Sequence, residues 1–234
     1  MSAPSSLATL AERWRLADEQ VARLARVLET LAHDPLAPTS IRDERALDAH
    51  IADSLTALDL DCVARARTVA DLGSGAGFPG IVLAIALPQA EVALVESASR
   101  KCAFLERLCA SAGVANARVI HARVEEWAQG LGAHDLVVAR ALAPLAVLCE
   151  YAAPLLAPGG SLVAWKGAVS AAEAEAGERA APLLGLRARG AVRATPYAGS
   201  VAHHLYLFEK VAATPPRYPR RPGTARKHPL GDPA

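Results

Sequence analysis

Residues Val69 to Ser97 read VADLGSGAGFPGIVLAIALPQAEVALVES. A short apolar run ends at Leu72. Four glycines follow within eight residues (Gly73, Gly75, Gly77 and Gly80), and a longer apolar segment leads to a second short run ending at Glu96. Short apolar runs bounded by turn residues predict buried strands, and the segment between these two is long enough for a helix. Glycines between a strand and a helix permit a tight turn and let a ligand approach the backbone. The stretch therefore predicts a strand–turn–helix–strand unit, the seed of a parallel sheet.

The same alternation continues downstream. Strands are predicted at Thr68–Leu72, Glu91–Glu96, Arg118–His121, Asp135–Ala139 and Ser161–Lys166. Helices are predicted between them at Pro79–Leu87, Arg100–Ala112, Val124–Gln129 and Ala143–Leu156. Such alternation gives an α/β fold, a parallel sheet with helices on both faces. Two further strands, near Leu186–Ala194 and His203–Val211, flank PYAGS (196–200), which suits an antiparallel pair.

Upstream, Leu7, Leu10, Trp14, Ala17, Val21, Leu24, Leu28 and Leu31 recur at spacings of three and four. They predict one helix of about six or seven turns with a single apolar stripe. Ala17 weakens that stripe as a coiled-coil seam, so the helix is expected to pack on the main domain. HDPLAPTS (33–40) breaks it, and Ile41 to Leu60 resumes a helical pattern. The tail TPPRYPRRPGTARKHPL (214–230) is rich in Pro and Arg and reads as irregular. Three parts result: a helical extension (1–60), a sheet domain (61–212) and a basic tail (213–234).

With 234 residues, 52% of them apolar, and a mean hydropathy of +0.20, the chain can build a full core. No apolar run approaches the ~18–20 residues of a membrane span. MSAPSSLATLAERW lacks the basic start and apolar block of a secretory signal, so a cytoplasmic protein without membrane contact is expected. Cys62, Cys102, Cys109 and Cys149 show no metal-binding spacing. They read as reduced, mostly buried thiols, and no metal is expected. Net charge is +1, but it is unevenly spread. Arg217, Arg220, Arg221, Arg226 and Lys227 lie in 211–228 with no acid among them, leaving 20 basic residues against all 24 acidic ones elsewhere.

Two ligand classes compete for the glycine loop. Gly75-x-Gly77-x-x-Gly80, with Glu96 roughly twenty residues on, matches the dinucleotide fingerprint in which the acid holds a ribose. In a second register, Asp71-x-Gly73-x-Gly75-x-Gly77 resembles the first motif of the Rossmann-like (class I) S-adenosylmethionine-dependent methyltransferases. Three features favour the second. Asp71 stands two residues before the first glycine, the loop lies behind a helical extension, and the sheet ends in an antiparallel pair. The methyltransferase reading implies a seven-stranded, mostly parallel sheet with an antiparallel final strand. Val124 and Glu125 then follow strand three, where that fold meets the adenine. Arg140 follows strand four, beside the place where methyl donor and acceptor meet. Glu125 reads equally well as an acidic first turn of a helix.

Several longer phrases resemble one family within that class, RsmG (also called GidB). They are HIADSL (50–55), DLGSGAGFPGIVLAIALP (71–88), SRKCAFLERL (99–108), RVEEW (123–127), VVARALAPL (137–145), WKG (165–167) and YPRRPGTARKHPL (218–230). The resemblance runs from about Ile41 to the C-terminus. It implies transfer of a methyl group from S-adenosyl-L-methionine to N7 of a guanine, position 527, in the 530 hairpin of 16S ribosomal RNA. The implied partner is that RNA within the 30S subunit or an assembly intermediate, and the implied location is the cytoplasm; a monomer is expected, although the sequence does not fix the oligomeric state. Cofactor contacts are implied at Gly73, Phe78, Val124, Glu125 and Arg140, with Glu96 at the ribose, and Gly75 and Gly77 complete the loop. Three positions depart from the family pattern: Ala49 where a basic residue is frequent, LAPTS (36–40) where an Asn-Leu-Thr type phrase is usual, and His203 near the last strand where Arg is frequent.

The chemistry agrees with what the sequence holds and lacks. Methylation of pyrimidine carbon 5 needs a cysteine nucleophile, and methylation of an exocyclic amine commonly uses an Asn/Asp-Pro-Pro-aromatic phrase after strand four. Here that position reads Arg140-Ala141-Leu142-Ala143. Guanine N7 is a neutral lone pair with no proton to lose, so alignment suffices and no general base is nominated. Arg140, His50 and Asp53 are candidates for positioning the base, although the latter two serve equally as capping or bridging groups on their helix. Arg217, Arg220, Arg221, Arg226 and Lys227 are candidates for phosphate contacts, which make binding salt-sensitive. Lys166 is a further RNA candidate, with a snorkelling structural lysine as its alternative. Three other readings stand beside this one: a methyltransferase on another acceptor, an NAD-dependent oxidoreductase, and a non-catalytic scaffold for ribosome assembly.

Overall fold

The computed structural model describes residues 6–197, 200 and 203–231. Seven strands form one sheet: β1 (Thr68–Leu72), β2 (Glu91–Glu96), β3 (Ala117–His121), β4 (His134–Arg140), β5 (Leu156–Lys166), β6 (Leu186–Arg193) and β7 (His204–Lys210). Their order is β3-β2-β1-β4-β5-β7-β6. All neighbours through β5 are parallel, and β7 runs antiparallel between β5 and β6. The chain reverses its direction of travel across the sheet at β1 and β4, and the carboxyl ends of these strands open the crevice where such sheets bind ligands.

Both faces of the sheet are covered at β1, β2, β4 and the second half of β5, where successive apolar residues face different layers, while β6 at the edge is largely exposed. Val92, Leu94, Leu136, Val138, Val163 and Trp165 join one buried cluster. Ala93, Val95, Val137, Ala139, Leu162 and Ala164 join the other. The first layer holds α1 (Leu7–Trp14), α2 (Asp18–His33), short helical turns over 47–64 that include α3 (Asp53–Leu55) and α4 (Asp61–Ala64), α5 (Gly80–Ala86) and α6 (Ser99–Ala112). The second holds α7 (Leu145–Ala152), α8 (Ala171–Leu183) and α9 (Thr224–Lys227).

Several elements differ from the sequence expectation. The N-terminal stripe lies on two helices, not one. Arg15 adopts a left-handed conformation (φ 52°) and ends α1, and the Gln20 side chain caps Ala17 N–H at 2.8 Å to begin α2. Gln20 also donates to the Ile85 and Ala86 carbonyls, which ties the break to the end of α5. Residues 41–44 are not helical; the helical backbone starts at Arg45 and becomes a π-helical turn at Leu47. The segment 124–129 forms two 3₁₀ turns, Val124–Glu126 and Ala128–Gly130. Leu156 belongs to a strand, since β5 starts there and pairs with His134 across a register shift. The tail is not irregular throughout: it carries α9 and is fastened to the second layer. Two cysteines, Cys102 and Cys149, are buried, while Cys62 and Cys109 are half-buried. The PYAGS connection lies partly outside the described residues, as does the start of the N-terminus.

Among the described residues, no helix is long and apolar enough to cross a membrane. Nor do three or more His, Cys, Asp or Glu side chains gather in a way that could hold a metal ion.

Candidate active site

The glycine loop is shaped by what it must avoid. Asp71, at the end of β1, is 1% exposed and accepts the Gly80 amide at 3.1 Å. A Cβ at Gly80 would lie 2.6 Å from that carboxylate, so the start of α5 can approach β1 only as glycine. Gly75 is left-handed (φ 56°), and among the described residues a Cβ there would meet only the Gly73 carbonyl at 3.6 Å. The turn thus exposes open space beside bare backbone.

That space continues into a cavity of about 320 Å³ at the carboxyl ends of β1, β2 and β3, bounded by Gly73, Glu96, Lys101, Val124, Glu125 and Tyr151 among others. Glu96 is held from three sides: its oxygens accept the amides of Gly75 (3.1 Å), Ser97 (2.8 Å) and Ala98 (2.9 Å). An acceptor-only carboxylate fixed in this way, with lone pairs to spare, is suited to the vicinal hydroxyls of a ribose. One buried oxygen of Asp71, Oδ1, has no partner among the described residues, and burial pushes this carboxyl up to about 6. Burial, then the charge of Glu125, raises the Tyr151 phenol, so it stays protonated at neutral pH.

A second cavity, about 430 Å³, opens beyond the ends of β4, β5 and β7. Asp53, Arg140, Trp165, Lys166, His203 and His204 line it, and Ala141 is shared by both cavities. Ala141 is left-handed (φ 54°), an uncommon conformation for a residue with a Cβ, at the point where the two spaces meet.

Arg140 organises this junction. Its Nη1 donates to the Ala49 carbonyl and to Asp53 Oδ2, each at 2.9 Å, and its Nη2 meets His50 Nδ1 at 3.2 Å. The guanidinium lies over the Phe78 ring, 5.5 Å from its centroid, and the His50 ring stacks on the same Phe78 at 4.5 Å. Burial, then the charge of Arg140, pulls the His50 imidazole down to about 4, so it is neutral at pH 7. The other Asp53 oxygen meets His203 Nδ1 at 3.0 Å, and the Asp53 carbonyl accepts Trp165 Nε1–H at 3.0 Å. Strand β4, strand β5 and the helical turns ahead of β1 are thereby joined through one residue, its carboxylate holding Arg140 and His203 and its backbone carbonyl holding Trp165.

The structure brings most of the expected residues together and separates others. Gly73, Glu96, Val124 and Glu125 line the first cavity. Gly75 supports Glu96, while Gly77 packs against Leu105 and Leu108. Phe78 is buried beneath Arg140, and Arg140 faces the second cavity rather than the first. His50 is buried behind that wall, whereas Asp53 forms part of it. Lys166 lines the second cavity but pairs with Glu173 at 2.6 Å.

The tail residues divide into distinct groups. Arg220 is not available to phosphates: its guanidinium pairs with both oxygens of Glu150, which is 1% exposed. Arg226 turns toward the first cavity and donates to the Leu142 carbonyl at 2.9 Å. Arg217, Arg221 and Lys227 are exposed. Lys101, Tyr151 and Gly223 in the first cavity, and Trp165 and His204 in the second, were not singled out from the sequence. No local spacing marks them, because they come from separate elements.

Comparison with known proteins places this geometry. A family model described as rRNA small subunit methyltransferase G (GidB) matches residues 23–195. The chain is 42% identical over 193 residues to the ribosomal RNA small subunit methyltransferase G of Rubrobacter xylanophilus, covering 80% of this chain and 74% of that one. It is 42% identical over 164 residues to the protein of the same name from Synechococcus sp., covering 69% of this chain and 63% of the relative's length. Among solved structures, a predicted O-methyltransferase from Agrobacterium tumefaciens superposes with a TM-score of 0.53 at 27% identity, over 69% of this chain and 81% of that one. A 16S rRNA (adenine(1408)-N(1))-methyltransferase from Catenulisporales acidiphilia, solved with its cosubstrate SAM, superposes with a TM-score of 0.52 at 18% identity, over 70% of this chain and 92% of that one. The fold is that of the S-adenosylmethionine-dependent methyltransferases, and the chain belongs to the GidB family, rRNA small subunit methyltransferase G.

Proposed function

We propose that this chain methylates N7 of a guanine in the 530 hairpin of 16S ribosomal RNA, using S-adenosyl-L-methionine. The observation that carries this reading is the meeting of two cavities at Ala141: one edged by Glu96 and bare glycine backbone, the other walled by Arg140 and Asp53. When bound, the cofactor supplies a methyl group on a positive sulfur, which passes to the N7 lone pair and leaves the sulfur neutral.

The chain's own residues hold and align. Glu96 fixes the ribose end of the first cavity. Glu125 and Val124 edge the region suited to the adenine. Asp53 and the Ala49 carbonyl clamp one end of Arg140, so its remaining N–H donors stay at a fixed place in the second cavity. Guanine O6 is an acceptor beside N7, and a donor from Arg140 to O6 leaves N7 free to face the methyl group. No side chain needs to take a proton, since N7 carries none. Rate enhancement then comes from positioning two reactants in line. Arg217, Arg221 and Lys227 supply exposed cations for the RNA backbone. A ribosomal substrate places the reaction in the cytoplasm, and the chain acts as a monomer.

The test is transfer of labelled methyl from S-adenosylmethionine to 30S subunits that lack the modification, followed by mapping of the labelled base. Label at a single N7-methylguanine in the 530 hairpin is the expected result. Label on another base, or none on 30S or free 16S RNA despite measured cofactor binding, would overturn the substrate assignment.

A further inference from the structure

We propose that the C-terminal segment 219–230 is a wall of the cofactor cavity, and that Arg226 contacts the nucleoside end of the bound cofactor. The inference rests on the methyltransferase reading above and adds a binding residue to it.

The segment is anchored at several points. Arg220 closes a paired, two-pronged contact on the buried Glu150 of α7. The Gly223 amide donates to Glu125 Oε1 at 3.0 Å. Ala225 is 2% exposed and packs into the second-layer cluster. Arg226 donates through Nη2 to the Leu142 carbonyl at 2.9 Å, next to the residue shared by both cavities. Gly223 and Arg226 consequently line the same cavity as Glu96, Val124, Glu125 and Tyr151. A segment whose composition suggests an RNA-gripping tail therefore stands between solvent and the cofactor.

The chemistry assigns Arg226 to one end of that ligand. A guanidinium carries five N–H donors; among the described residues the Leu142 carbonyl takes one and the Tyr151 hydroxyl another, so donors remain for a ligand. It is repelled by the sulfonium and by the cofactor's amino group. A nucleoside presents ring nitrogens and hydroxyl oxygens as acceptors, and its flat face suits a guanidinium plane. With Gly223 N–H engaging one oxygen of Glu125, the other oxygen can accept from an exocyclic amine, and Arg226 supplies the complementary donor. S-adenosylmethionine and S-adenosylhomocysteine share this nucleoside, so both should depend on Arg226 equally.

The experiment is calorimetric binding of S-adenosylmethionine, S-adenosylhomocysteine and 5′-methylthioadenosine to wild type, Arg226→Ala and Arg226→Gln. Melting of each ligand-free protein and its affinity for 16S RNA are measured alongside. Arg226→Ala should weaken all three ligands about tenfold, with the ligand-free melting temperature and RNA affinity nearly unchanged. Arg226→Gln, which keeps two donors without the charge, should lose less; it carries the same readout should the alanine variant fail to fold. Affinities within twofold of wild type in both variants would overturn the proposal. A loss confined to S-adenosylmethionine would overturn the nucleoside assignment, and a loss confined to RNA would return Arg226 to the phosphate surface. Wild type that binds none of the three ligands would instead defeat the methyltransferase reading itself.

Discussion

Replacing Arg220 by alanine separates two roles that composition alone confounds. Glu150 sits within α7, is 1% exposed, and has all its side chains' neighbours on that helix buried as well. Its carboxylate accepts Arg220 Nε at 2.9 and 3.1 Å, Arg220 Nη2 at 2.6 Å and the Arg220 amide at 3.1 Å. Arg220→Ala leaves a buried carboxylate with a single backbone donor. Breaking a buried pair from one side costs about 3–5 kcal/mol, because the remaining charge is uncompensated. For a chain of this size each kcal/mol lowers the melting temperature by about 2–4 °C, so a fall of about 12 °C is expected. Differential scanning calorimetry measures it, with Arg221→Ala as the control. That residue is exposed, and its loss should stay within about 0.5 kcal/mol of wild type. The double variant Glu150→Met/Arg220→Met should recover most of the loss, since apolar replacements of a buried pair are often neutral or better. A melting temperature for Arg220→Ala within 2 °C of wild type would refute the argument. Weakened RNA binding at unchanged stability would make Arg220 the phosphate ligand that its sequence context implies.

Other outcomes follow from the same geometry. Neutralising Arg217, Arg221 and Lys227 to alanine should weaken 16S RNA binding and lower the slope of log K against log salt by about 2. Cofactor affinity should not move, and an equal loss of cofactor binding would sink that division of labour. Gly75→Val places a β-branched side chain at φ 56° in otherwise open space, costing about 1–2 kcal/mol of backbone strain while filling the loop's ligand face. It should remain folded by circular dichroism and lose cofactor binding; full methyl transfer would mean the site is elsewhere. Burial pulls the His50 and His134 imidazoles down to about 4. Between pH 6.5 and 4 the unfolded chain therefore binds protons that the native state does not, and stability falls on acidification. Each histidine contributes on the order of 3 kcal/mol to that fall. Asp71, raised to about 6, takes up its proton in the folded state over much of the same range and offsets part of it. Both ring nitrogens of His134 are buried without partners among the described residues, so His134→Leu should remove its share. Urea unfolding at pH 7 and pH 4 checks this; an acid loss as large as in wild type refutes it.

The core of the sheet could be read from the sequence because its signals are local. The bounds of β1 and β2 agree with the expected Thr68–Leu72 and Glu91–Glu96, each a short apolar run closed by a carboxylate and a turn. The antiparallel pairing of β6 with β7 was likewise foreshadowed by turn residues between them. Helix α8 left no such trace: its buried face consists of Gly177, Ala180 and Ala181, too small to produce an apolar stripe. The early start of β5 was hidden by Pro158, Gly159 and Gly160, which resemble a turn and instead accompany a register shift. At the site, Gly73 and Glu96 stand in one motif and were found together. The pairing of Asp53 with Arg140 spans 87 residues, and that of Glu150 with Arg220 spans 70. Long-range pairing of charges has no local periodicity, so the tail's arginines looked alike until the fold separated them.

Helices α1 and α2 carry a consequence for how the molecule comes apart. Leu24, Val27 and Leu31 are fully buried in the same cluster as Ile81, Leu94, Phe104 and Leu108. Helix α2 lies against both α5 and α6. Residues 6–60 are thus energetically continuous with the sheet rather than a detachable module. Their loss would strip one face of α5 and α6 bare and leave an apolar surface prone to association. Trp14 on α1 and Trp165 on β5 should therefore report one coincident, all-or-none transition, the mark of a single cooperative unit whose extremities stand or fall with its centre.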